Sequence, residues 1–118
     1  MAKDDFFVIL FKILTYYYGC MKNRYVFKEE VFFKIAKGNI DDSYFNKVLK
    51  DAVDMGYIKG LAFTHAWGDE YILSSDYKDG EITPEGIKYL TDNSKMEKIK
   101  EFLQIAGGLT SKLISFVL

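Results

Sequence analysis

The chain has 118 residues, one domain by length, with 16 Lys and Arg against 17 Asp and Glu and a formal net charge of −1. Its pI of about 5.8 supplies no overall basic field to gather nucleic acid or anionic lipid. A hydrophobic share of 49% excludes a disordered chain, and one cysteine (Cys20) with one histidine (His65) excludes a disulfide framework and a zinc set.

The first apolar run, FFVILFKILTYYY at residues 6–18, is too short for a membrane span and wrongly built for a signal peptide. The expectation is a reduced, cytoplasmic protein. Asp4 or Asp5 caps a first helix that runs to about Lys22, with Arg24 just beyond. Phe6, Val8, Ile9, Leu10, Phe11, Ile13 and Leu14 surround its axis, so this helix is buried on several sides.

A second helix is read over residues 28–37, with Val31, Phe32, Ile35 and Ala36 at helical spacing, and Gly38 and Asn39 end it. Asp41 or Asp42 then caps a third helix whose inner face is Phe45, Val48, Leu49, Ala52 and Val53. Gly56 stops that helix at the position that needs φ > 0. Two helices joined by a tight glycine-containing turn make the helix-turn-helix pattern.

After Gly56 the period changes. Tyr57, Ile58, Leu61 and Phe63, then Tyr71, Ile72 and Leu73, read as two strands around Trp67 and Gly68. The stretch SSDYKDGE at residues 74–81 reads as a polar loop. In ITPEGIKYL, Thr83 caps a further helix and Pro84 occupies its first position. Ser94 and Glu97 stand at capping-box spacing ahead of a last helix with Met96, Ile99, Phe102, Leu103 and Ala106 on one side. The expected class is α+β: a winged helix-turn-helix over residues 1–92 with an added C-terminal helix. Residues 93–118 form a helical extension that packs on the domain or on a second subunit.

With MAKDDFFVI and ILTYYYGCMK at the N-terminus, MGYIKG after the third helix and ITPEGIKYLTDNSKMEKIKEFL at the C-terminus, the sequence resembles the YjcQ family. That is a group of small bacterial and prophage-borne proteins of winged-helix type. The resemblance implies the winged-helix fold and a Gram-positive or phage setting, and it brings no catalytic residues to carry over.

Catalytic signals are absent from the residues themselves. Cys20, near the end of an apolar helix, reads as a small core residue, and His65 has no nucleophile pattern nearby. No phosphate loop is present either. The expectation is a non-enzyme that needs no cofactor and no metal.

Two readings of function stay open. In a helix-turn-helix, the outward N-terminal residues of the second helix reach base edges. Here these are Ser43, Tyr44, Asn46, Lys47 and Lys50, with Lys28 and Arg24 placed to meet phosphate. This points to a DNA-binding transcriptional regulator acting on double-stranded DNA. Against it, Asp42, Asp51 and Asp54 share the helix. Residues 69–92 also hold seven acids against Lys78 and Lys88. The alternative is a winged-helix protein–protein interaction module with no DNA binding. The apolar surplus of the first helix and of the tail LTSKLISFVL predicts a homodimer, with Phe102, Leu109, Leu113 and Phe116 as the interface.

Overall fold

A computed structural model describes residues 6–65, 67–68 and 70–92. The cap candidates Asp4 and Asp5, the extension 93–118 and the interface candidates Phe102, Leu109, Leu113 and Phe116 lie outside the described residues.

The described chain is α+β. Helix α1 spans Phe6–Met21 and α2 spans Glu29–Phe32, which continues as a π-helical turn over Phe33–Lys37. Helix α3 spans Asp42–Asp54, and four short strands follow: β1 Ile58–Lys59, β2 Phe63–His65, β3 Tyr71–Leu73 and β4 Glu81–Ile82. A 3-10 turn at Tyr77–Asp79 separates β3 from β4, and α4 spans Pro84–Leu90. Strand β1 pairs antiparallel with β4, and β2 with β3. The arrangement is compatible with a winged-helix-like fold, in which residues 58–82 stand where the wing would be.

Helix α1 is the centre of the domain. Val8, Ile9, Leu10, Phe11, Ile13, Leu14, Tyr16 and Tyr17 are all buried, because α3, β4, α4 and the π turn pack around it. Asn23 ends α1 in the left-handed region at φ 59°, and the Arg24 N–H closes on the Gly19 carbonyl at 3.0 Å. The reversal lays the Tyr25 ring over Gly19, where any Cβ would overlap it. The Tyr25 hydroxyl donates to the Tyr16 carbonyl at 2.9 Å.

The second helix departs from a regular α-helix over 28–37. The Gly38 N–H donates to the Phe33 carbonyl, five residues back, at 2.7 Å. A π turn widens the helix locally. Phe32 is fully buried, and the wider turn lets the adjacent Phe33 pack on the same core beside Ile35 and Ala36. Two neighbouring aromatic rings cannot share one narrow stripe of a regular helix.

The strand region also differs from a simple hairpin. Lys59 pairs with Glu81 and Phe63 with Leu73, so residues 60–62 face the longer segment 74–80. The segment 74–80 is therefore not a free polar loop. It folds into the 3-10 turn with a capping box between Asp76 and Asp79, and Tyr77 turns back toward the helices.

Helix α4 follows its sequence signals closely. The Thr83 side chain accepts from the Gly86 N–H at 3.0 Å, and its hydroxyl donates to the Gly56 carbonyl. A Cβ on Gly86 would collide with the Tyr57 carbonyl oxygen, so the glycine of TPEG lets α4 lie directly on the turn after α3.

Candidate interaction surface

Helix α3 is the element on which the sequence places most of the candidate contact residues. Its start is built by Asp41, whose carboxylate accepts from the Ser43 and Tyr44 N–H groups at 3.2 and 3.4 Å. The Ser43 hydroxyl donates to the same oxygen at 2.6 Å. These bonds, the Ser43 hydroxyl first, hold the Asp41 carboxyl below its ordinary pKa. Asp42 is tied to Lys37 at 2.7 Å.

Further along α3, side chains four residues apart share a face. Asn46 and Lys50 form one such pair, and both meet the wing. The Tyr77 hydroxyl donates to the Asn46 side-chain oxygen at 3.1 Å. Lys50 sits 2.6 Å from the Asp54 carboxylate and 4.5 Å above the Tyr71 ring. The Asp54 hydrogen bond raises the Lys50 ammonium above its ordinary pKa. Lys47, on the neighbouring face, is exposed and has no ion-pair partner among the described residues.

The predicted set is thus divided by the fold. Ser43 and Lys47 are exposed, although the Ser43 hydroxyl is already bonded to Asp41. Asn46 and Lys50 are partly covered and engaged. Arg24 and Lys28 are exposed, after the end of α1 and just before α2. Of these side chains, the Ser43 hydroxyl, Asn46 and Lys50 are engaged within the chain.

Tyr77 is the residue that sequence reasoning passed over. Its ring lies 4.9 Å from Phe33 and 5.9 Å from Phe32, and its carbonyl accepts from the Tyr17 hydroxyl at 2.8 Å. It joins α1, α2, α3 and the wing. One signal was present: a lone aromatic residue inside the otherwise polar stretch 74–81.

The outer wing has a different character. Phe63, Leu73 and Tyr71 are half-buried, whereas Thr64 and Ile72 pair on the opposite face. Ile72 is 57% exposed and Trp67, at the tip, is 95% exposed. Residues 58–82 carry five acids, Asp69, Glu70, Asp76, Asp79 and Glu81, against Lys59 and Lys78, a net charge of −3.

Cys20 is half-buried, and burial pushes its thiol up from 9.0 to about 11. A shift of that size leaves about a hundredfold less thiolate near neutral pH. Iodoacetamide labelling at pH 8 is therefore expected to run about a hundredfold slower in the folded protein than in urea. Equal rates would show an accessible, ordinary thiol. Between pH 9 and 11 the unfolded chain binds fewer protons at this site than the folded one, so its contribution to stability falls as pH rises through that window.

Among the described residues, no helix is long and apolar enough to cross a membrane, and no three His, Cys, Asp or Glu side chains group as metal ligands. No curated protein and no solved structure matches the chain. A family model described as YjcQ protein matches residues 11–107. With that match over most of its length, the chain belongs to the YjcQ family.

Proposed function

We propose that this chain is a non-enzymatic winged-helix module that binds another protein through its wing, in the bacterial or phage setting that the family resemblance implies. The observation that carries this reading is the wing tip. Trp67 is 95% exposed and Ile72 57% exposed on a ribbon of net charge −3. Tryptophan supplies much of the binding energy at protein interfaces, whereas an acidic wing repels phosphate. The helix-turn-helix adds no compensating charge: residues 28–55 hold five lysines against six acids. Asn46 and Lys50, the side chains best suited to reading bases, already have partners within the chain.

A second reading, a DNA-binding regulator, is favoured by one feature. Lys47 is exposed in the middle of α3, and Arg24, Lys28 and Lys34 are exposed on adjoining elements. Fluorescence anisotropy with a labelled mixed-sequence duplex separates the two. The protein-binding reading expects no affinity tighter than ~10⁻⁴ M at physiological salt, the weak end of non-specific binding. Saturable binding near ~10⁻⁶ M that falls steeply with salt would overturn it. In that event Lys47→Ala is expected to weaken binding and lower the salt slope by about one. Lys50→Ala would then have the smaller effect, because Asp54 already neutralises Lys50.

A further inference from the structure

Resting on the protein-binding reading, we infer that the wing tip docks into a groove on a second copy of this chain. The groove lies between the C-terminal half of α1 and α2. It is lined by Tyr16, Tyr25, Val26, Lys28, Val31 and Ile35 and has a volume of about 400 Å³. Val26 is 80% exposed and Val31 38% exposed, so two aliphatic side chains stand open to solvent at its mouth. The two tyrosine hydroxyls of its walls are already hydrogen-bonded. The Tyr25 hydroxyl donates to the Tyr16 carbonyl at 2.9 Å, and the Lys28 N–H donates to the Tyr16 hydroxyl at 3.1 Å. An apolar side chain can enter without stranding either hydroxyl.

Charge complementarity selects the occupant. Residues 21–35 carry Lys22, Arg24, Lys28 and Lys34 against Glu29 and Glu30, a net charge of +2. Glu29 also lines a separate crevice beside Asp76 and Tyr77. The wing, at −3, ends in an exposed Trp67 with Glu70 three residues on. A net-acidic segment with an apolar tip therefore has its counterpart, a net-basic segment around an apolar groove, on the same molecule. The tip does not fill the groove of its own chain, because Trp67 is 95% exposed. Tyr71 against Lys50 and Tyr77 against Asn46 hold the wing beside α3. Two copies exchanging wings form two equal contacts about a two-fold axis.

Trp67 is the only tryptophan in the sequence, so its emission reports this contact directly. In the full-length protein, sedimentation velocity is expected to show a monomer–dimer equilibrium in the micromolar range. Trp67 emission should shift to the red on dilution. Trp67→Ala is expected to weaken self-association by at least about thirty-fold, and the double variant Val26→Lys, Val31→Lys to a similar degree. Mixing the two variants should partly restore association, to a level between either variant alone and the wild type, because one of the two contacts then joins an intact wing to an intact groove. That restoration also shows that both variants are folded. A wild-type monomer at several hundred micromolar, a dimer indifferent to Trp67→Ala, or a mixture that stays monomeric would each overturn the inference. None of these results touches the wider protein-binding reading, which falls only if the duplex titration shows tight, salt-dependent DNA binding.

Discussion

Replacing Phe32 by alanine is expected to cost about 3–5 kcal/mol of folding stability, the range found for removing a fully buried aromatic ring. Phe32 is fully buried, and its ring is the hub of the aromatic cluster. Phe27, Tyr17, Tyr16 and Phe45 lie 5.2, 5.3, 5.4 and 5.7 Å away, and Phe33 and Tyr77 both 5.9 Å. These rings come from α1, the loop before α2, the π turn, α3 and the wing, so one deletion opens a void where five segments converge. Rigid rings collapse poorly into a void, which places the cost toward the upper part of the range. A small domain has only about 5–15 kcal/mol to lose, so the variant should be marginal at physiological temperature. Urea denaturation followed by far-UV circular dichroism measures it. A midpoint that gives a loss below about 1 kcal/mol would show that the cluster repacks and that Phe32 is not its hub. Phe33→Ala is the internal comparison, expected to cost less because Phe33 is only half-buried.

The second large effect is expected at Gly60, where alanine should cost about 2–5 kcal/mol. Two terms add. Gly60 holds φ at +89°, outside the range an L side chain adopts easily, which costs about 1–2 kcal/mol. Any Cβ there also collides with the Asp79 carbonyl oxygen, and such overpacking costs about 1–3 kcal/mol. Gly68 separates the terms: its φ is +68°, but nothing lies within 4 Å of a Cβ built on it. Gly68→Ala should therefore carry only the conformational cost. If the two variants lose equal stability in urea titrations, the contact with Asp79 contributes nothing. The consequence reaches the interaction surface, because Gly60 lets the chain pass close to the segment that carries Tyr77. Displacing Asp79 would loosen the Tyr77 bond to Asn46 and release an α3 side chain that the native fold keeps engaged.

The elements that could be read from the sequence are those whose signals are local. For α3, the Asp41 cap, the inner face of Phe45, Val48, Leu49 and Ala52, and the Gly56 stop at φ +81° all stand within sixteen residues of one another. The Thr83 cap with Pro84 made α4 legible in the same way. The π turn was not legible, because it arises from where Phe33 must go once Phe32 occupies the core. The interrupted hairpin was hidden for a related reason. Tyr77 sets it through partners 31 and 60 residues away, Asn46 and Tyr17, and no local propensity encodes such distances.

The candidate site divides along the same line. Residue types and helical spacing placed Ser43, Asn46, Lys47 and Lys50 on α3, and composition alone marked the wing as acidic. Which of those side chains remain free was decided only by tertiary structure, because the answer depends on Tyr71 and Tyr77, which approach α3 from a distant part of the chain. Exposure of Trp67 was likewise settled by the fold: a tryptophan in a sequence is equally suited to a core or a surface, and only packing decides between them. Local order follows from short-range hydrogen bonding and side-chain period. The surface left for a partner is what remains after every long-range contact has been made.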